Sequence, residues 1–248
     1  MSSDNNPRSQ KNQTITDRFA KSALTYDSHA KLQQEIAKTL ANCLPHEMPD
    51  KILEIGCGTG LLTRHIIDAY PEIPFTITDI TPEMLSVCMQ KYHTLPWVKF
   101  AVLDGESITK PQNYDLIASS MTIHWFDDIL TGLKNIQTSL TRGGEFYFTT
   151  IGPDCFPEWR AALHTHGFEV GIRRVPDLPG IFHRETLSIN HHSPLDFLKS
   201  LSRLGAHTPH RDYTPLTRKQ LRSAMATLDK EWGSTVTWEI LYGKIIQL

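Results

Sequence analysis

Residues 51–60 read Lys-Ile-Leu-Glu-Ile-Gly-Cys-Gly-Thr-Gly, and no other segment restricts the possible folds of this 248-residue chain as much. Ile52, Leu53 and Ile55 form a short apolar run that ends in Gly56, Gly58 and Gly60. The pattern predicts a buried strand, a tight turn and a helix beginning near Leu61. Glycine at every second position removes the Cβ atoms, so a ligand can lie directly on the backbone. The N–H groups at the start of the following helix point at whatever sits there. Glu54 puts a carboxylate where the positive end of such a ligand would be. Two phosphate-binding loops are excluded. The G-x-G-x-x-G fingerprint needs glycine at position 61, which is Leu61, and the Gly-Lys-Ser/Thr of a P-loop is absent.

Two later strand ends carry acids. Residues 75–79 read as a second strand ending in Asp79, nineteen residues past Gly60. An acid at that spacing is placed to accept both hydroxyls of a ribose. Thr81 and Pro82 read as the N-cap and first position of the next helix. Val98–Leu103 reads as a third strand, followed by Asp104-Gly105-Glu106. The spacing E-x-G-x-G-x-G resembles motif I of the class I S-adenosylmethionine methyltransferases, whose cofactor presents a sulfonium and an α-amino group rather than phosphates. A structural glycine turn in another α/β domain is the alternative for that motif alone, and Asp104 alone fits a helix cap equally well. The resemblance implies cofactor contacts at Glu54, Gly56, Cys57, Gly58, Gly60, Asp79, Ile80, Met84, Asp104, Gly105, Glu106 and Ser119.

The rest of the chain supplies the helices and strands of a doubly wound sheet. Helical periodicity covers 14–43 without an internal proline, and Pro45 and Pro49 mark the exit. Strand and helix patterns then alternate: strand 51–55, helix 61–69, strand 75–79, helix 82–92, strand 98–103, strand 114–119, helix 127–140 and strand 145–151, with Arg142-Gly143-Gly144 as a turn. Alternation of this kind predicts a parallel sheet with ligands at the carboxyl ends of its strands. Beyond Gly152-Pro153 the pattern changes to helix 157–165, an irregular stretch 173–182, a strand at 184–190, helices near 194–204 and 217–231, and a final strand 235–246.

Composition narrows the class. Hydrophobic content of 40% and charged content of 21% fit one globular α/β domain. The polar start, 1–13, lacks the apolar core of a signal peptide and is expected to be a disordered tail. Cys43, Cys57, Cys88 and Cys155 form no C-x-x-C pair, which points to a reducing cytoplasm and away from zinc or disulfides. Net charge is −2, yet residues 160–224 hold 10 basic against 5 acidic residues. Such a patch can steer an acidic partner, and without interleaved aromatics it is a poor nucleic-acid motif.

The acceptor is indicated by other segments. Arg18-Phe19, Ala23, Tyr26-Asp27, Ala30, Leu32-Gln33, then Arg184-Glu185-Thr186-Leu187, Leu201-x-x-Leu204-Gly205-Ala206, Leu216-Thr217-Arg218 and Thr237-Trp238-Glu239-x-Leu241-Tyr242-Gly243 resemble the malonyl-acyl-carrier-protein O-methyltransferases of biotin synthesis. Two features depart from that family: 152–183 is short, and His124-Trp125 stands where many members have Gln-Trp. His-Trp is similar to the trans-aconitate O-methyltransferases, the second reading. The resemblance implies a Rossmann-like class I methyltransferase fold: a seven-stranded, mostly parallel sheet with an antiparallel last strand, helices on both faces, an N-terminal helical cap at 14–43 and a lid or substrate region at 152–232. It also implies a monomer that uses S-adenosylmethionine, no metal, and an acyl carrier protein as partner, with neither nucleic acid nor membrane. Positioning would fall to His124, Trp125 and Tyr26, and the substrate carboxylate to Arg173, Arg174 or His124. Carrier docking would fall to Lys199, Arg203, Arg211, Arg218, Lys219 and Arg222.

Overall fold

The computed structural model describes Ala20 and residues 30–109, 112–172, 174–203 and 213–248. The predicted tail 1–13, most of the helical stretch before Ala30, and Leu204-Gly205-Ala206 lie outside the described residues. Among these residues, helix α1 spans Lys31–Ala41. It begins after Ala30, whose φ of −102° and ψ of 31° are not helical, so the predicted helix at 14–43 is not continuous through that point.

Strands β1 (Ile52–Ile55), β2 (Phe75–Asp79), β3 (Val98–Val102), β4 (Tyr114–Ser120) and β5 (Leu140–Ile151) alternate with helices α2 (Thr63–Ala69), α3 (Pro82–Tyr92) and α4 (Ile129–Ser139). Later come α5 (Pro157–His164), β6 (Ile181–Asn190), α6 (Pro194–Arg203), α7 (Arg218–Trp232) and β7 (Thr235–Ile246). The seven strands form one sheet in the order β3-β2-β1-β4-β5-β7-β6. The first five run parallel. Strand β7 is antiparallel to β5, with Gly143 N–H donating to Gln247 O at 2.7 Å and Gly152 N–H to Glu239 O at 2.8 Å. Strand β6 is antiparallel to β7 through Lys244 N–H to Gly180 O at 2.9 Å and His191 N–H to Ser234 O at 3.2 Å. The expected mostly parallel sheet with an antiparallel β7 is thus present, and β6, antiparallel to β7, runs in the same direction as the first five strands.

All four residues of β1 are buried, Glu54 included. This continuous burial is that of a central parallel strand covered on both faces. The chain leaves β1 toward β2 and β3 on one side and returns to β4 and β5 on the other. The strand order therefore reverses between β1 and β4, and a crevice opens at their carboxyl ends. The Arg142–Gly144 segment is not a turn between α4 and a strand. Strand β5 already begins at Leu140, and the register jumps from Tyr114↔Leu140 to Leu116↔Glu145. Gly143, at φ 80°, permits this bulge.

The chain divides into two compact units. One comprises residues up to Thr150 with Leu178–His183 and Tyr242–Leu248, and the other Ile151–Asp177 and Arg184–Leu241. The second unit has its own aromatic core: Phe156 meets Trp238 edge-on at 4.6 Å and Phe197 at 5.5 Å, and Trp159 meets Phe197 at 6.1 Å. Helix α7 starts at a reciprocal Thr217–Gln220 capping box and stops at Gly233, φ 57°. Glu239 clamps the entry to this unit. One oxygen accepts Asp154 N–H at 2.9 Å, the other the Arg184 guanidinium at 2.8 Å. A Cβ on Gly152 would lie 2.0 Å from Glu239 Oε2, so glycine is required there.

Candidate cofactor site

In the first unit the loop after β1 is built from three glycines with positive φ: Gly56 at 70°, Gly58 at 54° and Gly60 at 95°. Each is glycine for a different reason. A Cβ on Gly56 would fall 2.3 Å from Thr122 Oγ1, so Thr122 fills that space. A Cβ on Gly60 would lie 3.1 Å from both Cys88 Sγ and Tyr92 Cε2 on α3. A Cβ on Gly58 would meet nothing within 4 Å. Only Gly58, then, turns bare backbone toward open space. The loop is held by Cys57 N–H to Thr78 O and Gly60 N–H to Cys57 O, both 2.9 Å.

Asp79 closes β2 beside this loop. Its two oxygens accept Gly58 N–H and Thr81 N–H, each at 2.8 Å. Burial raises its pKa, and those backbone donors pull it back. Ile80 is half-buried next to Asp79, and Met84 is buried in the first turn of α3.

Glu54 is buried beneath the loop, 1% exposed, and accepts the Thr63 hydroxyl at 2.6 Å. Desolvation, reinforced by neighbouring Cys88 and Asp79, holds its carboxyl well above the usual range. Thr78 donates to the Glu54 carbonyl at 2.6 Å. The side chain therefore supports the loop from below.

Asp104 follows β3, where Leu103 N–H donates to Asp79 O at 3.1 Å. Its carboxylate accepts Glu106 N–H at 3.1 Å and caps the short 3-10 turn Gly105–Ser107. Gly105 packs so tightly that a Cβ would lie 2.2 Å from Ile55 Cγ2. Glu106 is buried with its oxygens on Asp127 N–H at 2.8 Å and Asp128 N–H at 3.0 Å, which pins the entry to α4. Ser119, fully buried, donates to Ile55 O at 2.9 Å and ties β4 to β1.

Across the crevice, Met121 adopts a left-handed φ of 54° and Thr122 donates to Gly56 O at 3.3 Å. His124 and Trp125 follow in a 3-10 turn, their rings 4.9 Å apart, and His124 Nδ1 lies 3.3 Å from Thr150 Oγ1. A backbone bent into αL at a non-glycine residue stores strain of a kind that collects at functional sites.

The first unit thus gathers the glycine loop, Asp79, Asp104 and His124-Trp125. Tyr26, Arg173 and Arg211 lie outside the described residues. Arg174 and Lys199 are exposed in the second unit. Arg203 ends α6. Arg218, Lys219 and Arg222 are exposed on the first turns of α7, away from its buried Ala224 and Leu228. Thr63, Thr122 and Thr150, which orient Glu54, Gly56 and His124, had no signal in the sequence, because their partners are set by the fold. Among the described residues, no group of three or more His, Cys, Asp or Glu side chains could hold a metal.

A methyltransferase domain model matches residues 53–146. The chain is 34% identical over 237 residues to a malonyl-acyl-carrier-protein O-methyltransferase of Magnetococcus marinus, covering 89% of this chain and 88% of that one. It is 33% identical over 243 residues to the biotin biosynthesis bifunctional protein BioCD of Bordetella avium, covering 93% of this chain and 52% of that one. Among solved structures, the YcgJ protein of Bacillus subtilis superimposes with a TM-score of 0.57 at 12% identity, over 86% of this chain and 98% of that one. The first two likenesses extend well past the glycine loop into the C-terminal signatures, and the third is one of fold. By identity and coverage together, the chain belongs to the malonyl-acyl-carrier-protein O-methyltransferase family.

Proposed function

We propose that the chain transfers a methyl group from S-adenosylmethionine to the free carboxylate of a malonyl thioester on acyl carrier protein, giving the methyl ester that enters biotin synthesis. The acceptor is supported by the names of the Magnetococcus and Bordetella relatives. The cofactor is supported by one observation above the others. Gly58 offers a surface that any Cβ would fill, directly beside the Asp79 carboxylate that its own N–H holds. Those residues fit a nucleoside with two ribose hydroxyls.

In this reading Asp79 accepts the ribose hydroxyls, Asp104 and the backbone at Gly105 face the adenine, and Ile80 and Met84 line it. Gly56, Cys57, Gly58 and Gly60 form the floor, with Glu54 and Glu106 acting beneath the surface, and Ser119 fixing the edge of β4. The bound cofactor supplies an electrophilic methyl group. The acceptor carboxylate is already ionised at neutral pH. No residue need act as a general base, and the residues of the chain are left to position and to exclude water. His124 and Trp125, with Tyr26, take the positioning role. A desolvated carboxylate needs a cationic or hydrogen-bonding partner, and Arg173, Arg174 or His124 supplies it. Lys199, Arg203, Arg211, Arg218, Lys219 and Arg222 form the docking face for an acidic carrier. In this reading the enzyme works in the cytoplasm, which the four free cysteines support.

Transfer of labelled methyl from S-adenosylmethionine to malonyl-carrier protein, compared with free malonate and trans-aconitate, tests the proposal. Turnover of the carrier-bound substrate should dominate. Equal or better turnover of a free acid would overturn the acceptor assignment.

A further inference from the structure

Strand β5 carries two consecutive threonines near its carboxyl end, Thr149 and Thr150, both 0% exposed. Successive residues of a strand face opposite sides of the sheet, and the two hydroxyls reach the loop after β4 at different points. Thr149 holds the start of that loop. Its Oγ1 accepts Met121 N–H at 3.0 Å and lies 3.2 Å from Ser120 Oγ. Its carbonyl accepts the same Met121 N–H at 3.0 Å. Thr150 holds a ring. Its Oγ1 lies 3.3 Å from Nδ1 of His124, a half-buried side chain. Among the described residues this is the one hydrogen bond of the Thr150 hydroxyl.

That contact decides which ring nitrogen carries the proton. A hydroxyl brings one proton to donate as well as lone pairs to accept with, and a buried donor needs an acceptor. If Nδ1 of His124 carried the hydrogen, the ring would donate to Oγ1, and the Thr150 proton would have no acceptor among the described residues. If Nε2 carries it, Nδ1 accepts the Thr150 proton and both groups are satisfied. The partner of one imidazole nitrogen thus sets the state of the other. An ionised carboxylate offers acceptors alone, so a neutral imidazole can hold it only through an N–H.

We propose that Thr150 is a positioning residue for methyl transfer: its hydroxyl donates to His124 Nδ1, fixes the ring as the Nε2–H tautomer and so equips the site with a neutral donor for the acceptor carboxylate. A neutral N–H orients the carboxylate and leaves it the charge that attack requires. The acceptor oxygen bonds to the methyl carbon as the carbon–sulfur bond of the donor breaks, and no proton moves through His124. The use in catalysis rests on the reading that His124 meets the acceptor, whereas the tautomer does not.

The full chain is prepared with isotope-labelled histidine, and the His124 ring signals are assigned by their loss in His124→Phe. Long-range proton–nitrogen correlation spectra then separate protonated from bare ring nitrogens, at a mildly alkaline pH where an ordinary imidazole is neutral. The wild-type ring should show a bare Nδ1 and a protonated Nε2. Thr150→Val keeps the branched shape without the hydroxyl and should give a mixture of tautomers; Thr150→Ser should restore the single one. In the methyl-transfer assay Thr150→Val should lower kcat/KM for malonyl-carrier protein by about 2- to 10-fold, and Thr150→Ser should recover it. Calorimetric affinity for S-adenosylmethionine should stay at the wild-type value, because Thr149 still holds the Met121 turn. In a His124→Phe background, Thr150→Val should add nothing. A wild-type ring protonated on Nδ1 overturns the proposal. So does a Thr150→Val protein with the wild-type spectrum, or one that loses as much activity with Phe at 124 as with His. Full turnover by His124→Phe would instead overturn the role of His124, and the spectra would still decide the Thr150 contact.

Discussion

Gly56→Ala and Gly58→Ala put the same methyl group two residues apart on one loop, and the structure predicts opposite consequences. Both positions have positive φ, 70° and 54°, so both variants carry left-handed strain, worth roughly 1–2 kcal/mol. At Gly58 nothing else is added, because the new Cβ meets no atom within 4 Å. At Gly56 the Cβ would lie 2.3–2.8 Å from three Thr122 side-chain atoms, an overpacking that adds about 1–3 kcal/mol. At about 2–4 °C per kcal/mol for a chain of this size, Tm should fall by about 2–8 °C for Gly58→Ala and by about 4–20 °C for Gly56→Ala. Combining Gly56→Ala with Thr122→Ala removes two of the three clashing atoms, so the double variant should be more stable than the sum of the singles implies. Binding should rank the other way relative to stability. Gly58→Ala fills the surface assigned to the cofactor and should weaken S-adenosylmethionine by about tenfold or more, at least ~1.4 kcal/mol. Thermal unfolding without ligand and titration calorimetry with it provide both readouts. A Gly58→Ala protein with wild-type affinity would show that the cofactor does not lie on Gly58, and one less stable than Gly56→Ala would show that Thr122 does not set the need for glycine at 56.

Three further outcomes are expected. Glu54 has a raised pKa in the fold, so its contribution is fully present below the ordinary carboxylate range and is lost as pH rises through the folded value. Glu54→Gln escapes that loss, and its Tm advantage over wild type should grow with rising pH; a constant or shrinking difference would contradict it. In the second unit, Glu239→Ala strands the Asp154 N–H and should cost about 1–3 kcal/mol. Arg184 pairs with the same carboxylate, but its side chain is 54% exposed, so Arg184→Ala should cost about 1 kcal/mol or less, and denaturant melts decide the order. Reversing charge at Arg218, Lys219 and Arg222 should raise KM for malonyl-carrier protein at low salt and matter little at high salt; a salt-independent effect would remove the docking face.

The parallel half of the fold was open to reading because β1, β2 and β4 are short, rich in β-branched and aromatic residues and almost wholly buried, and turn residues and helical periods separate them. The acids and glycines that end those strands were equally visible. What the residues do there was less so. Gly56 and Gly60 look like ligand-contact glycines, yet Thr122, Cys88 and Tyr92 set their need for no side chain. Glu54 looks like a ligand carboxylate and is buried against Thr63. These partners are 9 to 66 residues away in the chain, and no local pattern encodes them. The Arg142–Gly144 segment shows the same limit: Gly143 signals a backbone reversal, but only pairing with Gln247 makes it a bulge within β5. The C-terminal signatures identify the family through its scaffold. Glu239 clamps 152–154, Gly243 clears the Phe148 ring, and Trp238 fills the second core. They mark kinship and leave the acceptor-gripping residue unread.

In the proposed function, one bare stretch of backbone at Gly58, next to Asp79, receives S-adenosylmethionine. A crystal structure of the complex with S-adenosylhomocysteine tests it most directly. The ligand should lie on Gly58 with its ribose hydroxyls on the Asp79 carboxylate. A ligand bound elsewhere, or one that leaves Asp79 on its backbone partners alone, would contradict it.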